Sequence, residues 1–388
     1  MNSDIEILDS LYNETEVYIF GAGDRGQFTY AALNEKGVAC RAFLDNSKEK
    51  QEKFSFFGVP CIAPEDATGN VSIVVTPAPK YQASISEQLG RPNSRGNRKI
   101  YYLSDDLYWR MYRNISDEGI IQCRWHQRKP GITLHLNHPE TFNEKIQWIK
   151  LHYRPNEYTC LADKNCVKKW ISDHNISGLN VIPTIGIWDS FDEIDIDKLP
   201  QQFVLKCTHD SGSVVICRDR HEFDIKSARE KLSAALAQNY YWYDREWCYK
   251  GIKPAIIAEP YLTDESGYEL KDYKFQCFNG KVGLIQVDFG RFTKHRRNLY
   301  DRDWNFIDAE ILYPNDSDHE IKKPANLEEM ITIAEKLSKP FPYVRIDLYD
   351  ISNQIYFGEF TFYHGGGYEE FRPYDLDIRL GELIHLPL

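Results

Sequence analysis

"VRIDLYDISNQIYFGEFTFYHGGG", Val344 to Gly367, reads as two strands joined by a tight connection about Asn353. Side chains alternate faces along a strand. In the first strand Val344, Ile346 and Leu348 share one face, and Arg345 and Asp347 share the other. In the second, Tyr356, Phe360 and Phe362 share a face, with Glu359 and Thr361 opposite. If the strands pair about Asn353, Asp347 faces Glu359 and Arg345 faces Thr361. Directly opposed side chains have Cβ atoms about 4.5–5.5 Å apart, where like charges destabilise the pair. A cation is therefore expected. Arg345 supplies part of the charge, and a divalent metal would supply more, since Mg²⁺ takes one or two protein carboxylates plus phosphate oxygens. The plainer alternative is one wet face of an antiparallel sheet, with both carboxylates in water.

The segments upstream carry further polar residues at strand ends. "FVLKCTHDSGSVVICRD" (203–219) is a strand, a small polar loop and a second strand, with Lys206 ending the first. Thr208, Ser211, Gly212 and Ser213 offer hydroxyl and amide donors to phosphate oxygens. A loop of this kind can close over a triphosphate and exclude water; an ordinary hairpin with an exposed lysine is the alternative. Lys164 in "ADKNCVKKW" is a second phosphate candidate, although Lys168 and Lys169 beside it equally describe a solvated helix face. "IIAEPYL" (256–262) runs an apolar strand into Glu259 and a kink at Pro260. Its free backbone edge can hold an adenine ring, or it is an edge strand that tolerates Pro. In "DYKFQCF" Asp272 and Lys274 share a face, to meet ribose and phosphate or to form a surface ion pair. "CFNGKVGLIQV" (277–287) is a hairpin, because Asn279-Gly280 supplies a type I′ turn. "DFGRFTKHRRNLYDRD" (288–303) is a basic island: Arg291, Lys294, Arg296 and Arg297 suit an anionic substrate, or a solvated loop.

The first hundred residues have an α/β rhythm. Strands at 16–20, 38–45, 71–76 and 98–103, with helical stretches after the first and near 80–89, imply a small parallel sheet. Gly21, Gly23 and Gly26 form GxGxxG between a strand and a helix, and Asp45 ends the second strand where a ribose-binding acid sits. The motif fits a nucleotide or sugar-nucleotide loop; alternatively the glycines only pack helix against strand. With four strands visible, a nucleotide-sugar or structural role is favoured over NAD. Residues 104–141, irregular and rich in Arg and aromatics, read as a connector. "TFNEKIQWIKLH" (141–152) reads as a helix with Thr141 and Glu144 in capping-box spacing, and further helices are expected near 224–239 and 327–338.

At 388 residues the chain needs two or three domains. A net charge of -11 argues against sequence-blind nucleic-acid binding. With 25 Tyr, 20 Phe and 8 Trp, aromatic-lined grooves or thick sheets are expected. The nine cysteines include no CxxC pair, so neither zinc nor a disulfide framework is expected, and free thiols fit a cytoplasmic protein. "MNSDIEILDS" lacks a signal-peptide pattern, and no apolar run approaches the roughly 18 residues of a membrane span.

In chain order, Lys164, Lys206 with its small-residue loop, Glu259, Arg345-x-Asp347 and Glu359-x-Thr361 resemble the ATP-grasp superfamily. More narrowly, Thr141 onward resembles the bacterial teichuronopeptide-biosynthesis (TupA-like) ATP-grasp family, through "TFNEKIQWIK", "LADKNCVKKWI", "FVLKCTHDSGS", "IIAEPYL", "DYKFQCFNGKV" and "GEFTFYHGGG". The resemblance implies an α+β ATP-grasp fold over 142–388, after the connector at 104–141. Residues 1–103 are similar to small α/β Rossmann-like domains beside sugar-modifying enzymes of bacterial surface polysaccharides. It also implies roles. Lys164 and Lys206 would hold ATP phosphates under the 208–213 loop, with Ser211, Gly212 and Ser213 as donors; Glu259 and Leu262 would frame adenine; Asp272 would reach ribose, with Lys274 beside it. Asp347 and Glu359 would bind Mg²⁺, and Arg345 would stabilise the transferring phosphoryl group, with Lys206, Arg291 and Arg297 as further catalytic candidates. The superfamily commonly has Asn where Thr361 stands, and a hydroxyl is a weaker neutral ligand. Gly365 to Gly367 would shape a substrate loop. The implied activity is an ATP- and Mg²⁺-dependent ligase joining a uronic acid or amino acid carboxylate to an amine through an acyl phosphate, in capsule, O-antigen or teichuronic-type glycan modification. The alternatives are a nucleotide-sugar-binding scaffold with an inactive ATP-grasp half, and an NAD(P)-dependent oxidoreductase.

Overall fold

Short apolar runs ending at turn residues become the strands of the computed structural model, which describes residues 2–90, 97–264, 270–290 and 294–387. The chain divides into two units, Met1–Thr133 and Leu134–Leu388. The first holds β1 (Glu16–Phe20), β2 (Ala39–Leu44), β3 (Ser55–Phe56), β4 (Val59–Ile62), β5 (Val71–Val75) and β6 (Arg98–Tyr102). Their order is β3-β4-β2-β1-β5-β6, parallel except for the β3–β4 hairpin. That hairpin and its strands are additional to the four expected; two to four residues around Phe57-Gly58, with Pro60 inside, are too short to show a period.

The connector reading of 104–141 is corrected over most of its length. Helices Asp105–Asn114 and Asp117–Arg128 occupy it, each started by a serine hydroxyl: Ser104 accepts from Leu107 N and Ser116 from Gly119 N. Both pack on helix Asp24–Asn34. Tyr112 meets Phe28 edge-on at 5.0 Å, and Leu107, Met111, Ile120 and Ile121 are buried. Aliphatic and aromatic side chains share the buried stripe here, and the arginines between them hid its helical period.

Helix Asp24–Asn34 approaches β1 through glycine. A Cβ on Gly26 would lie 1.8 Å from the Gly21 carbonyl oxygen, and Gly21 itself has φ +101°. Only glycine permits both. Gly26→Ala is expected to destabilise the first unit by about 3 kcal/mol or more. Faster hydrogen exchange in β1 and β5, with the second unit's amides unchanged, would register this; unchanged exchange in β1 would contradict it.

The second unit contains β7 (Leu179–Val181), β8 (Gly186–Trp188), β9 (Phe203–Cys207), β10 (Val214–Cys217), β11 (Ile256–Pro260), β12 (Tyr273–Phe278), β13 (Lys281–Phe289), β14 (Arg296–Tyr300), β15 (Phe306–Ile307), β16 (Glu310–Ile311), β17 (Tyr343–Ile351), β18 (Gln354–Thr361) and β19 (Phe371–Arg372). A four-stranded antiparallel sheet runs β10-β9-β11-β8. A seven-stranded sheet runs β15-β14-β13-β12-β17-β18-β7, antiparallel except at β18–β7, and β16 pairs with β19. Helix Ile225–Leu236 covers the small sheet, burying Ala228 and Leu232 with Phe203 and Leu205. Helix Leu327–Ser338 buries Met330, Ile331 and Ala334 in the core of the large one. The capping box of Thr141 and Glu144 is formed, and opens helix Phe142–His152.

β17 and β18 pair as expected: Asp347 faces Glu359 and Arg345 faces Thr361, around Ser352 and Asn353 at positive φ. The face assignment of Tyr356 is corrected. Leu348 pairs with Phe357, so Gly358 is an extra residue, and the buried set is Ile355, Phe357, Phe360 and Phe362. A bulge inserts one residue and switches the alternation beyond it. A Cβ on Gly358 would meet the Asp347 carbonyl oxygen at 2.8 Å, so the bulge requires glycine.

The expectation of free thiols throughout is also corrected. Cys160 and Cys166 form a disulfide, while the other seven cysteines are free. The bond links helix Glu157–Ala162 to helix Cys166–Asp173, whose meeting brings the Cα atoms to 5.2 Å, within bridging range.

Candidate functional site

Alternation in β9 buries Phe203, Leu205 and Cys207 beneath the small sheet and turns Val204 and Lys206 the other way. Glu259 on β11 lies in register with Val204, and Val214 and Ile216 on β10 oppose Lys206 and Val204. These residues form one wall of a cleft of about 260 Å³, with Pro260, Tyr261 and Leu262 at its edge; Tyr349, Phe357 and Gly358 of the large sheet form the other wall. Val214 and Ile216 are exposed aliphatics, as an apolar ligand wall requires.

The cleft's charges are paired. The Glu259 carboxylate is bridged by Lys206 at 2.7 Å and Lys168 at 2.5 Å. Burial pushes the Glu259 carboxyl up, but the two ammonium groups outweigh it and hold it below its ordinary range. Lys168 also donates to Thr184 Oγ1 at 2.8 Å. The reading of Lys168 as part of a solvated helix face is therefore corrected; Lys169, exposed and paired with Asp173, keeps that description. Lys164 donates to the Asp210 carbonyl, and burial lowers its pKa against the opposing pull of Glu359.

The 208–213 loop is held by its own contacts. Ser213 Oγ donates to the Asp210 carboxylate, and Thr208 Oγ1 accepts from Ala255 N at 3.2 Å, so Thr208 ties the loop to the residue that leads into β11. Ser211 and Gly212 are exposed, with Gly212 at φ +98° and open space where a Cβ would stand.

Across β12, β17 and β18 the carboxylates meet cations. Lys274 lies in register with Asp347 and reaches its Oδ2 at 2.5 Å and Asp272 Oδ2 at 3.1 Å. All three side chains are under 10% exposed, so this is a buried cluster and not a surface pair. Arg345 forks onto Asp347, Nε to Oδ1 at 2.6 Å and Nη2 to Oδ2 at 2.8 Å, and reaches Glu359 Oε1 at 3.0 Å. Thr361 Oγ1 donates to Glu359 at 3.2 Å. Glu359 also feels the buried Lys164 ammonium, so the carboxylates Asp272, Asp347 and Glu359 stand among the cations Lys164, Lys274 and Arg345. Among the described residues no three His, Cys, Asp or Glu side chains converge as a metal cage. The facing carboxylates of Asp347 and Glu359, with the Thr361 hydroxyl beside Glu359, are a donor set that fits a divalent ion completed by ligand oxygens.

Of the basic island, Arg297 is buried and committed. Its Nε binds Asp288 at 2.7 Å, and its Nη1 reaches Glu369 at 3.2 Å and the Ile311 carbonyl at 2.9 Å. The expectations that it receives an anionic substrate or lies in a solvated loop are corrected, because it is buried and its Nε and Nη1 are held by the protein. Arg296 donates to the Asn315 carbonyl, and Lys294 is exposed. Arg291 lies outside the described residues.

Sequence reading passed over His364 and Glu369. His364 is buried, with Nδ1 2.9 Å from Arg345 Nη1 and Nε2 2.9 Å from Glu369 Oε2. Burial would raise the Glu369 carboxyl, yet the neighbouring His364, Arg297 and Arg345 outweigh it and hold it below its ordinary range. Gly365, Gly366 and Gly367 all have positive φ, and a Cβ on Gly365 would strike the Glu369 side chain at 2.2 Å. Lys150 and Gln147 bind the Gly366 carbonyl at 2.6 and 3.0 Å. The run His-Gly-Gly-Gly was the available signal: three left-handed residues fold the chain back so that Glu369 returns to His364.

In the first unit, Asp45 stands at the end of β2 beside the glycine loop. Its Oδ2 accepts from Ala22 N at 3.1 Å and Lys50 Nζ at 2.8 Å, and Ser47 N donates to Oδ1 at 3.0 Å. Gly23 has open space around it.

Residues 144–385 match the family described as TupA-like ATPgrasp. Among solved structures, the D-alanine–D-alanine ligase of Bacillus anthracis aligns at 16% identity and TM-score 0.30, covering 76% of this chain and 86% of its own. The ATP-grasp ligase PsnB, complexed with a phosphomimetic variant of a minimal precursor, Mg and ADP, aligns at 9% identity and TM-score 0.35, covering 90% of each chain. The N5-carboxyaminoimidazole synthase of Aspergillus clavatus aligns at 11% identity and TM-score 0.34, covering 97% of this chain and 78% of its own. No curated protein matches the sequence.

Proposed function

The chain belongs to the TupA-like ATP-grasp family, and on that premise we propose that it is a carboxylate–amine ligase of bacterial surface polysaccharide modification. It is an ATP-dependent ligase using ATP and Mg²⁺. The observation that carries the reading is the facing pair Asp347 and Glu359, bridged by Arg345, on the strands that also bring Tyr349, Phe357 and Gly358 to the cleft of Lys206 and Lys168.

The apolar wall of Val204, Val214 and Ile216 and the backbone of Glu259 to Leu262 would receive adenine, with Asp272 towards the ribose. Lys164 and Lys206 would exchange their present oxygen partners for phosphate oxygens. Closure of the 208–213 loop would exclude water. Asp347 and Glu359, with Thr361 adjacent, would hold Mg²⁺, which neutralises phosphate charge when bound. A substrate carboxylate attacks the γ-phosphate, giving an acyl phosphate and ADP, and Arg345 stabilises charge on the phosphoryl oxygens in flight. An amine then displaces phosphate, loses a proton and leaves an amide. A uronic acid or amino acid would supply the carboxylate. The protein would act in the cytoplasm, where ATP and sugar precursors are available. The first unit, read as Rossmann-like, would offer the Gly21–Gly26 loop and Asp45 to a nucleotide sugar.

ADP release from ATP, measured across panels of uronates, amino acids and amines, tests this reading. Mg²⁺-dependent ADP formation requiring both a carboxylate and an amine is expected. Thermal stabilisation by NAD(P) alone, or by a nucleotide sugar alone, with no ADP formed, would favour an oxidoreductase or a scaffold instead.

A further inference from the structure

Arg345 has two kinds of partner. Three of its contacts go to Asp347 and Glu359, the carboxylates assigned above to a cation. The fourth, Nη1 to His364 Nδ1 at 2.9 Å, goes to a side chain with no other assigned role. A guanidinium has only donors, so Nδ1 must present its lone pair. On the other side of the ring, Nε2 lies 2.9 Å from Glu369 Oε2, an ion-pair distance without the alignment of a hydrogen bond. With its lone pair on Nδ1 facing Arg345, the ring is neutral and carries its proton on Nε2, towards the Glu369 carboxylate. We propose that His364 is a positioning residue, a neutral Nε2–H imidazole whose Nδ1 fixes the Arg345 guanidinium independently of Asp347 and Glu359.

The support behind the ring is continuous. Glu369 is itself held by Arg297, and Arg297 by Asp288 and the Ile311 carbonyl, so the relay runs Arg345, His364, Glu369, Arg297, Asp288. Each member is buried or nearly so. Burial keeps His364 below its ordinary pKa, against the pull of Glu369, which favours the neutral ring. The hydrogen bond at one nitrogen of an imidazole sets the tautomer at the other. When Asp347 and Glu359 turn towards a cation, the histidine contact keeps Arg345 pointing as before.

The kinetic consequence rests on the ligase reading, but the hydrogen-bond arrangement does not, and the test separates them. In the full chain labelled with ¹⁵N-histidine, the resonance lost in His364→Gln is expected to report Nε2 protonated and Nδ1 bare at neutral pH. An Nδ1–H ring or an imidazolium would overturn the proposal whether or not the protein is a ligase. In turnover, His364→Phe is expected to lower kcat roughly 30- to 100-fold, the scale of a misplacement of about 1 Å, with the KM for ATP within about threefold. His364→Gln, whose amide keeps an acceptor and a donor, is expected to recover to within about tenfold of the parent. A His364→Phe protein that folds and turns over like the parent would overturn the proposal while leaving the ligase reading intact. A parent that forms no ADP would remove the ligase reading, with the nitrogen resonances still deciding the ring.

Discussion

Arg345→Lys is expected to lower the turnover of ATP by about 10³-fold, within the range reported for arginines that stabilise phosphoryl transfer. The planar fork of Arg345 binds Asp347 through two nitrogens, Glu359 through one and His364 through another. A lysine ammonium is a single point charge on a flexible stem and cannot hold that geometry. It does retain a positive charge beside Asp347, so the fold survives and the affinity for Mg·ATP changes by no more than about threefold. Steady-state ADP formation, set beside the dissociation constant of a non-hydrolysable ATP analogue, separates the two effects. Turnover within tenfold of the parent would show that Arg345 acts only as a counterion.

Glu259→Ala has the largest expected effect on stability. Lys168 and Lys206 both bind this carboxylate, and their side chains are 14% and 20% exposed. Removing it leaves two cations facing each other in a partly buried wall. Breaking a buried pair from one side costs about 3–5 kcal/mol. For a unit of this size that corresponds to a fall in Tm of roughly 6–15 °C. The pH dependence has a definite sign. The Glu259 carboxyl is held below its ordinary value of 4.5, so its contribution is complete above that value and is lost as the pH falls beneath it. The Tm gap between parent and variant should be full at pH 7 and shrink as the pH drops below about 4.5. A gap of constant size would assign the loss to packing.

The strand pair was legible because two local rules agreed. Period-two alternation and a turn at Asn353 fixed the register that places Asp347 against Glu359. The same rule failed at Tyr356, because the Gly358 bulge adds a residue that no alternation predicts. Lys168 was hidden because a lysine on a helix reads as solvent-facing until Glu259 arrives from a strand 91 positions later. Arg297 erred the other way: its buried partners Asp288 and Glu369 come from β13 and from the loop after the glycine run. His364 and Glu369 were invisible as a pair because three left-handed glycines, not a strand or helix period, bring them together. Helices 105–114 and 117–128 lay in plain view of their serine caps, but arginines interleaved with a mixed aliphatic and aromatic stripe obscured its period.

The central claim is that Asp347 and Glu359 form a magnesium-dependent nucleotide site. Isothermal titration with a non-hydrolysable ATP analogue, with and without Mg²⁺, tests it on the parent and on the double variant Asp347→Asn, Glu359→Gln. The account predicts Mg²⁺-dependent binding by the parent, and for the double variant at least a tenfold weaker affinity, about 1.4 kcal/mol, with no response to Mg²⁺. Equal Mg²⁺-dependent binding by both proteins, or no binding by the parent, would contradict it.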